Sequence, residues 1–394
     1  GTFHTSAPGQ NDNVYFDVNS FGAASQVVTI NATATCNDMD WTGAINDPTL
    51  TGTATLNIYG SFTLIPGMTF NYSGYTYFLA LSTGQTITMA GQSFNDNIYF
   101  NGIGGWILQD VLTVPGDILY LQTGTLSTNN QDITVSRFIS TTTNTRTLNL
   151  GSSTITITSG SSEAFNFNGT NMTVNPGTSL LKFTASGGGM NYAGTGGLNF
   201  WDLLYESTGG TSYYRNGGGT FHNITFNSAT GRIHDGSTGN KVIFNQSGVI
   251  YNGTCTIDTV LFNGYANIET GGHTFGRVWM DGDGNIDGSN TFTDLLELTE
   301  GFTYEFDAGQ TQTFNGDLVA AGTCFNPINI QSSSATQAIF SKTSGAITVT
   351  RVNLANMNAT GGAAFTANAS FDLGNNTGWT INAPDSEDLY WVGG

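Results

Sequence analysis

Short runs of alternating apolar and polar residues recur along this chain at a nearly fixed interval. Asn223-Ile224-Thr225-Phe226-Asn227 is followed by Lys241-Val242-Ile243-Phe244-Asn245 and then by Thr259-Val260-Leu261-Phe262-Asn263, so that Phe226, Phe244 and Phe262 stand 18 residues apart. The series continues through Arg277-Val278-Trp279-Met280, Leu295-Leu296-Glu297-Leu298 and Thr313-Phe314-Asn315-Gly316, in steps of 17 or 18 if Trp279, Glu297 and Phe314 mark the rung. The first half carries a slacker version: Tyr59, Phe78, Phe100, Leu121 and Phe138 are separated by 19, 22, 21 and 17 residues.

Alternation over three to five residues predicts strands with one face inward. Two or three such strands per interval, broken by Gly, Asn or Ser at the corners, predict one turn of a solenoid. A single turn cannot cover its own apolar face, so each turn must hydrogen-bond to the next at about 4.8 Å and stack like side chains on like. The expected fold is therefore all-β, a right-handed parallel β-helix with coils of about 17–22 residues. A series of β-sandwiches is the rival, but sandwiches call for strands every 8–12 residues without a fixed period. Residues 1–50 pattern differently and are expected to cap or join, 51–381 to form the body, and 382–394 to link into a following module.

Composition agrees with an all-β chain and narrows the partners. Charged residues are only 9% of the 394, and Thr, Asn, Ser and Gly supply the polarity instead. No stretch approaches the roughly 20 consecutive apolar residues of a membrane helix. Forty-seven aromatics (26 Phe, 15 Tyr, 6 Trp) are too many for a disordered chain and enough for a sizeable core. The net charge is −19 with nine Lys and Arg, so neither nucleic acid nor an anionic membrane is an expected partner. Cys36, Cys255 and Cys324 form no disulfide framework or metal knuckle and read as small buried side chains. Both ends look cut from a longer polypeptide.

The ends also carry a resemblance. Pro8-Gly9-Gln10-Asn11-Asp12-Asn13-Val14-Tyr15-Phe16-Asp17 is followed by Ser20-Phe21 and by Cys36-Asn37-Asp38-Met39-Asp40-Trp41. Near the other end stand Asp372-Leu373-Gly374-Asn375-Asn376-Thr377-Gly378-Trp379 and Leu389-Tyr390-Trp391-Val392-Gly393-Gly394. These resemble a module of very large surface proteins of Bacteroidetes-type bacteria, exported by the type IX system, gliding-motility adhesins among them. The resemblance covers about 50 residues at the two ends. It implies extracellular display and adhesion, with other modules or copies of the same protein as neighbours, and brings no catalytic residues.

Candidate chemistry is sparse. Asp281, Asp283, Asn285 and Asp287 place oxygen ligands at alternate positions, as at the start of a Ca²⁺ loop. Ile286 stands where that loop needs Gly, and Phe292 where it needs Glu; the competing reading is a polar corner of the solenoid. Asp38, Asp40 and Asp47 around Trp41, and Asp385, Glu387 and Asp388 near Trp391, read as solvated junction charge or as ion-stiffened joints. Arg232, His234 and Asp235 form the tightest basic–acidic group, and Arg215 and Lys241 lie within about a coil of it. Glu297, Glu300 and Glu305 are too close in sequence to read as two facing acids, and the four histidines lack metal-binding spacing. Of the adjacent Tyr213 and Tyr214, one ring must face outward if both lie in a strand. The expectation is a non-enzymatic structural or adhesive segment of an extracellular surface protein or filament, able to bind glycans or surfaces. A phage tailspike-like or polysaccharide-processing β-helix is the first alternative. An ice-binding solenoid is the second, on the strength of Thr86-Ile87-Thr88, Thr154-Ile155-Thr156 and Thr348-Val349-Thr350.

Overall fold

Extended backbone sends successive side chains to opposite faces, and here the inward set is Leu, Ile, Val, Phe and Met while the outward set is mostly Thr, Asn and Ser. The computed structural model describes residues 6–193, 197–234, 236–251 and 253–385. These residues form 43 strands and no helix. The strands pair in parallel, each with an equivalent strand about one coil further along. Parallel stacking of successive turns, rather than two facing antiparallel sheets, makes the fold an all-β parallel β-solenoid. The chain divides into two units, up to Ser207 and from Thr208.

In the first unit three ladders run side by side. One joins Val14–Tyr15, Met39–Asp40, Phe62–Thr63, Gln85–Thr88, Gly105–Leu108 and Gly124–Ser127. A second joins Ala34–Cys36, Leu56–Ile58, Thr76–Phe78, Ile98–Phe100 and Leu112–Leu121. A third joins Val27–Ile30, Thr49–Gly52 and Thr69–Tyr72. All three ladders begin before residue 50 and cross it without a break. Residues from Val14 onward stack in register with the coils that follow. Their different look in sequence comes from long polar corners between short strands. Phe16 and Phe21 stack on Trp41, at ring-centroid distances of 3.7 and 5.8 Å, so these residues of the N-terminal motif close one corner together.

The second unit contains the most regular coils. Phe226, Phe244, Phe262, Met280 and Leu298 are register partners in one inward column. The three Phe rings stack at 5.2 and 4.9 Å, within 10° of parallel. Strands such as Thr256–Phe262 turn a corner without interruption: Asp258 and Thr259 both face outward between the inward Ile257 and Val260. The last described strand is Trp379–Ile381.

Two expectations about the rungs need correction. After Phe262 the inward residue is Met280, fully buried, and not Trp279; Glu297 likewise faces out while Leu298 faces in. Phe314 belongs to another column, with Phe275 and Phe292. In the first unit Ile58, not Tyr59, precedes Phe78. Ring type suggested these positions, but parity along the strand decides which face a residue takes. Coil length also exceeds the expected range in places: Phe138 pairs with Phe165, 27 residues on, and Thr311 with Ile339, 28 on. The extra residues sit in corner loops such as 158–164 and 321–327, where they leave the paired walls undisturbed.

Candidate ligand-binding faces

Along the coils the inward positions are filled by packed apolar side chains, and the candidate recognition residues are sought on the outward positions. Asp281, Asp283, Asn285 and Asp287 all lie on such positions, alternating with buried Gly282, Gly284 and Ile286. The backbone leaves one strand at Met280, bends at Gly282 and enters the strand Gly284–Ile286, with Asp281 N–H donating to the Phe262 carbonyl and Asp287 N–H to the Ile268 carbonyl. Same-face side chains along extended chain stand about 6.6 Å apart, whereas Ca²⁺ ligands converge to about 2.3–2.6 Å from one ion. Asn285 and Asp287 stand apart on that spacing, while Asp281 and Asp283 flank the bend at a polar corner. Asp283 instead accepts a hydrogen bond from Thr303 N–H at 2.8 Å. Among the described residues no group of three or more His, Cys, Asp or Glu is placed to hold a metal ion.

Asp287 belongs to an acidic strip across coils. Burial pushes the Asp287 carboxyl above its ordinary range, and the neighbouring Asp307 and Glu305 add to this. The Glu269 carboxyl is raised by burial and by Asp287, against a smaller opposing pull from Arg232.

The other acidic candidates serve their own corners. Asp38 accepts from Ser61 N–H at 2.7 Å and Asp40 from Thr42 N–H at 2.8 Å. Glu387, Asp388 and Trp391 lie outside the described residues. Thr154 and Thr156 are followed on the next coil by Leu180 and Lys182, so no threonine array continues there. Cys36 and Cys255 are buried as expected, but Cys324 is exposed, in a corner loop rather than on an inward rung.

Three outward faces carry aromatic rings. In the first unit Tyr77, Tyr99 and Tyr120 are register partners. Their rings stack at 4.5 and 4.6 Å, nearly parallel, and this consumes the ring faces between them. Burial, with Tyr120 and Tyr77 alongside, pushes the Tyr99 phenol up to about 12.

On one wall of the second unit, Leu261 and Trp279 floor a shallow groove of about 500 Å³, bordered by Lys241, Asn263, Asp281 and Thr299. Trp279 is held by its indole N–H, which donates to the Glu297 carboxylate one coil on. Asn263 is held by Asn245, and Asn245 by Asn227, in a ladder of side-chain amides at 3.0 and 2.7 Å. A fixed indole with amide, ammonium and carboxylate groups at its edge is suited to a polyhydroxylated ring. Trp279 was missed because it reads as a rung; the parity of Val278 and Met280 with Val260 and Phe262 is the signal that finds it.

Another wall of the second unit gathers Tyr213, Arg215, Arg232, His234 and Tyr251. Tyr213 faces outward while Tyr214 is fully buried. Tyr213 pairs with Arg232 and Arg215 with His234 on the next coil. The Arg215 guanidinium lies 4.2 Å from the Tyr213 ring centroid, and that of Arg232 lies 5.7 Å from Tyr213 and 5.3 Å from Tyr251. His234 stacks on Tyr251 at 4.1 Å. Asp235, the acid expected in this group, lies outside the described residues.

His273, by contrast, is structural. Its Nδ1 accepts from Cys255 N–H at 3.1 Å, which leaves Nε2 to donate to the Glu269 carbonyl at 2.9 Å, and burial lowers its pKa.

No protein-family model, no curated protein and no solved structure matches the chain.

Proposed function

We propose that the chain is a structural and adhesive segment of a large extracellular surface protein or filament, without catalytic activity, and that the Trp279 groove is where it holds a glycan. The observation that carries this reading is a large aromatic side chain kept on the outer face, with its N–H fixed by Glu297, beside a core that does not need it. The groove is shallow and open, which suits reversible docking of a sugar chain better than enclosure of a small metabolite. Neighbouring modules or further copies of the protein would lie beyond such a segment in the surface structure, and many weak glycan contacts in series would give avidity.

A glycan array probed with the intact chain and with Trp279→Ala tests the reading. Neutral oligosaccharides retained by the parent and lost by the variant support it, and a parent that binds none of a broad panel overturns it. A second reading, a polysaccharide-processing β-helix, is favoured by the meeting of Arg232, His234, Tyr251 and Glu269 on successive coils. Release of new reducing or unsaturated ends from a polysaccharide would select that reading over the passive one.

A further inference from the structure

We infer that the face built from Tyr213, Arg215, Arg232, His234 and Tyr251 is a second binding site, on a different wall from the Trp279 groove, for an isolated carboxylate carried on a sugar. Basic residues are rare in this chain, and several are already committed. Lys182 pairs with Glu206, Arg277 with Asp294 and Lys342 with Asp317. Arg146 is buried on backbone carbonyls. Arg215 and Arg232 are different: among the described residues neither lies within ion-pair distance of a carboxylate, and each instead rests against tyrosine rings. The Arg232 Nε is buried and makes no hydrogen bond. A guanidinium held against a ring can still donate through its terminal N–H groups, and a planar carboxylate matches that end with two parallel hydrogen bonds. The flanking Tyr213 and Tyr251 rings supply surface against which the carbon skeleton of the ligand can lie.

Charge decides which acid fits. The chain carries a net charge of −19, and the same face continues into Glu269 and Asp287 on the following coils. A polyanion laid along the ladder meets these acids within a few coils. One carboxylate seated at Arg215, three coils from Glu269 at about 4.8 Å per coil, does not, because at physiological ionic strength charges beyond about 8 Å are largely screened. The geometry thus points to a terminal uronate- or sialate-type residue, and not to nucleic acid or a sulfated polymer.

Binding is to be measured by calorimetry on the full chain at physiological ionic strength. The probes are a glucuronate-terminated oligosaccharide, a sialyl oligosaccharide, the methyl ester of each, an acidic peptide and dextran sulfate. At least one acid is expected to bind tenfold or more tighter than its own ester. Arg215→Gln/Arg232→Gln should erase that difference while melting as the parent does, and Trp279→Ala should retain it. Equal affinity for acid and ester, an unchanged preference in the double variant, or tighter binding of the peptide or of dextran sulfate would each overturn the assignment. Loss of neutral-glycan binding in Trp279→Ala reports on the groove alone, so the two sites fail separately.

Discussion

At the residue scale, a buried arginine and a half-buried aspartate show how the fold accommodates charge. Arg146 is fully buried at an inward position, between Gly124 and Met172 in the ladder. Its guanidinium donates to the carbonyls of Ser140, Asn144, Asn168 and Thr170, binding two corners together. Arg146→Met fits sterically, since Met172 occupies the same column, but it orphans those carbonyls. We expect a loss of about 3 kcal/mol or more in denaturant unfolding; a neutral substitution would show that the carbonyls find water. Asp287 behaves in the opposite sense. Its folded-state pKa is raised, so its contribution to stability is fully present below the ordinary aspartate value and is lost as pH rises through the raised one. Asp287→Asn is therefore expected to raise the melting temperature at pH 7, with the gain shrinking toward pH 4. A gain independent of pH would show that the half-buried charge of Asp287, with the repulsion it meets, is not the cause. Neither role was legible in the sequence. Arg146 gives no local sign of burial, and Asp287 was read with Asp281 and Asp283 as one loop because alternate oxygen residues look the same in a turn and in a strand.

At the scale of strands and coils, the phenylalanine column of the second unit was legible, because identical spacing and parity coincide at Phe226, Phe244 and Phe262. The column's opposite wall was not. Gly231 and Gly248 are register partners there, and a Cβ at either would overlap the ring of Phe226 or Phe244. These glycines are required by packing, whereas sequence reading assigns glycine to corners first. Gly248→Ala is expected to destabilise the second unit by about 1–3 kcal/mol through overpacking. Gly248→Ala combined with Phe244→Leu should recover part of the loss, and additive losses would contradict the pairing of glycine with ring. Met280 and Trp279 mark where legibility failed: with the aromatic run broken, the choice between neighbours rested on residue type instead of parity. The longer coils were hidden for a related reason, since corner loops change length without leaving a trace in the strands.

At the scale of the whole molecule, the fold separates two duties by facing. Inward columns hold stacked turns together, and outward columns carry Trp279, the tyrosine ladder and the arginine–tyrosine face. Charge follows the same division: among the described residues most charged side chains lie outward, Arg146 being buried, and a chain that is only 9% charged presents a mostly uncharged polar surface with local acidic and aromatic features. No helix among the described residues is long and apolar enough to cross a membrane. An adhesive role draws on this division, because ligand residues on outer faces can change without disturbing the ladder that supports them.

Adjacent residues on opposite faces offer the most direct test of that division, and Trp279 and Met280 are such a pair. Denaturant unfolding and glycan-array binding of Trp279→Ala and Met280→Ala should give opposite outcomes. Met280→Ala is expected to cost about 2–5 kcal/mol and to keep its glycan profile. Trp279→Ala should lose the neutral-glycan part of that profile at a cost of less than about 1 kcal/mol. A Trp279→Ala variant that unfolds as readily as Met280→Ala, or that binds the same glycans as the parent, would contradict the account.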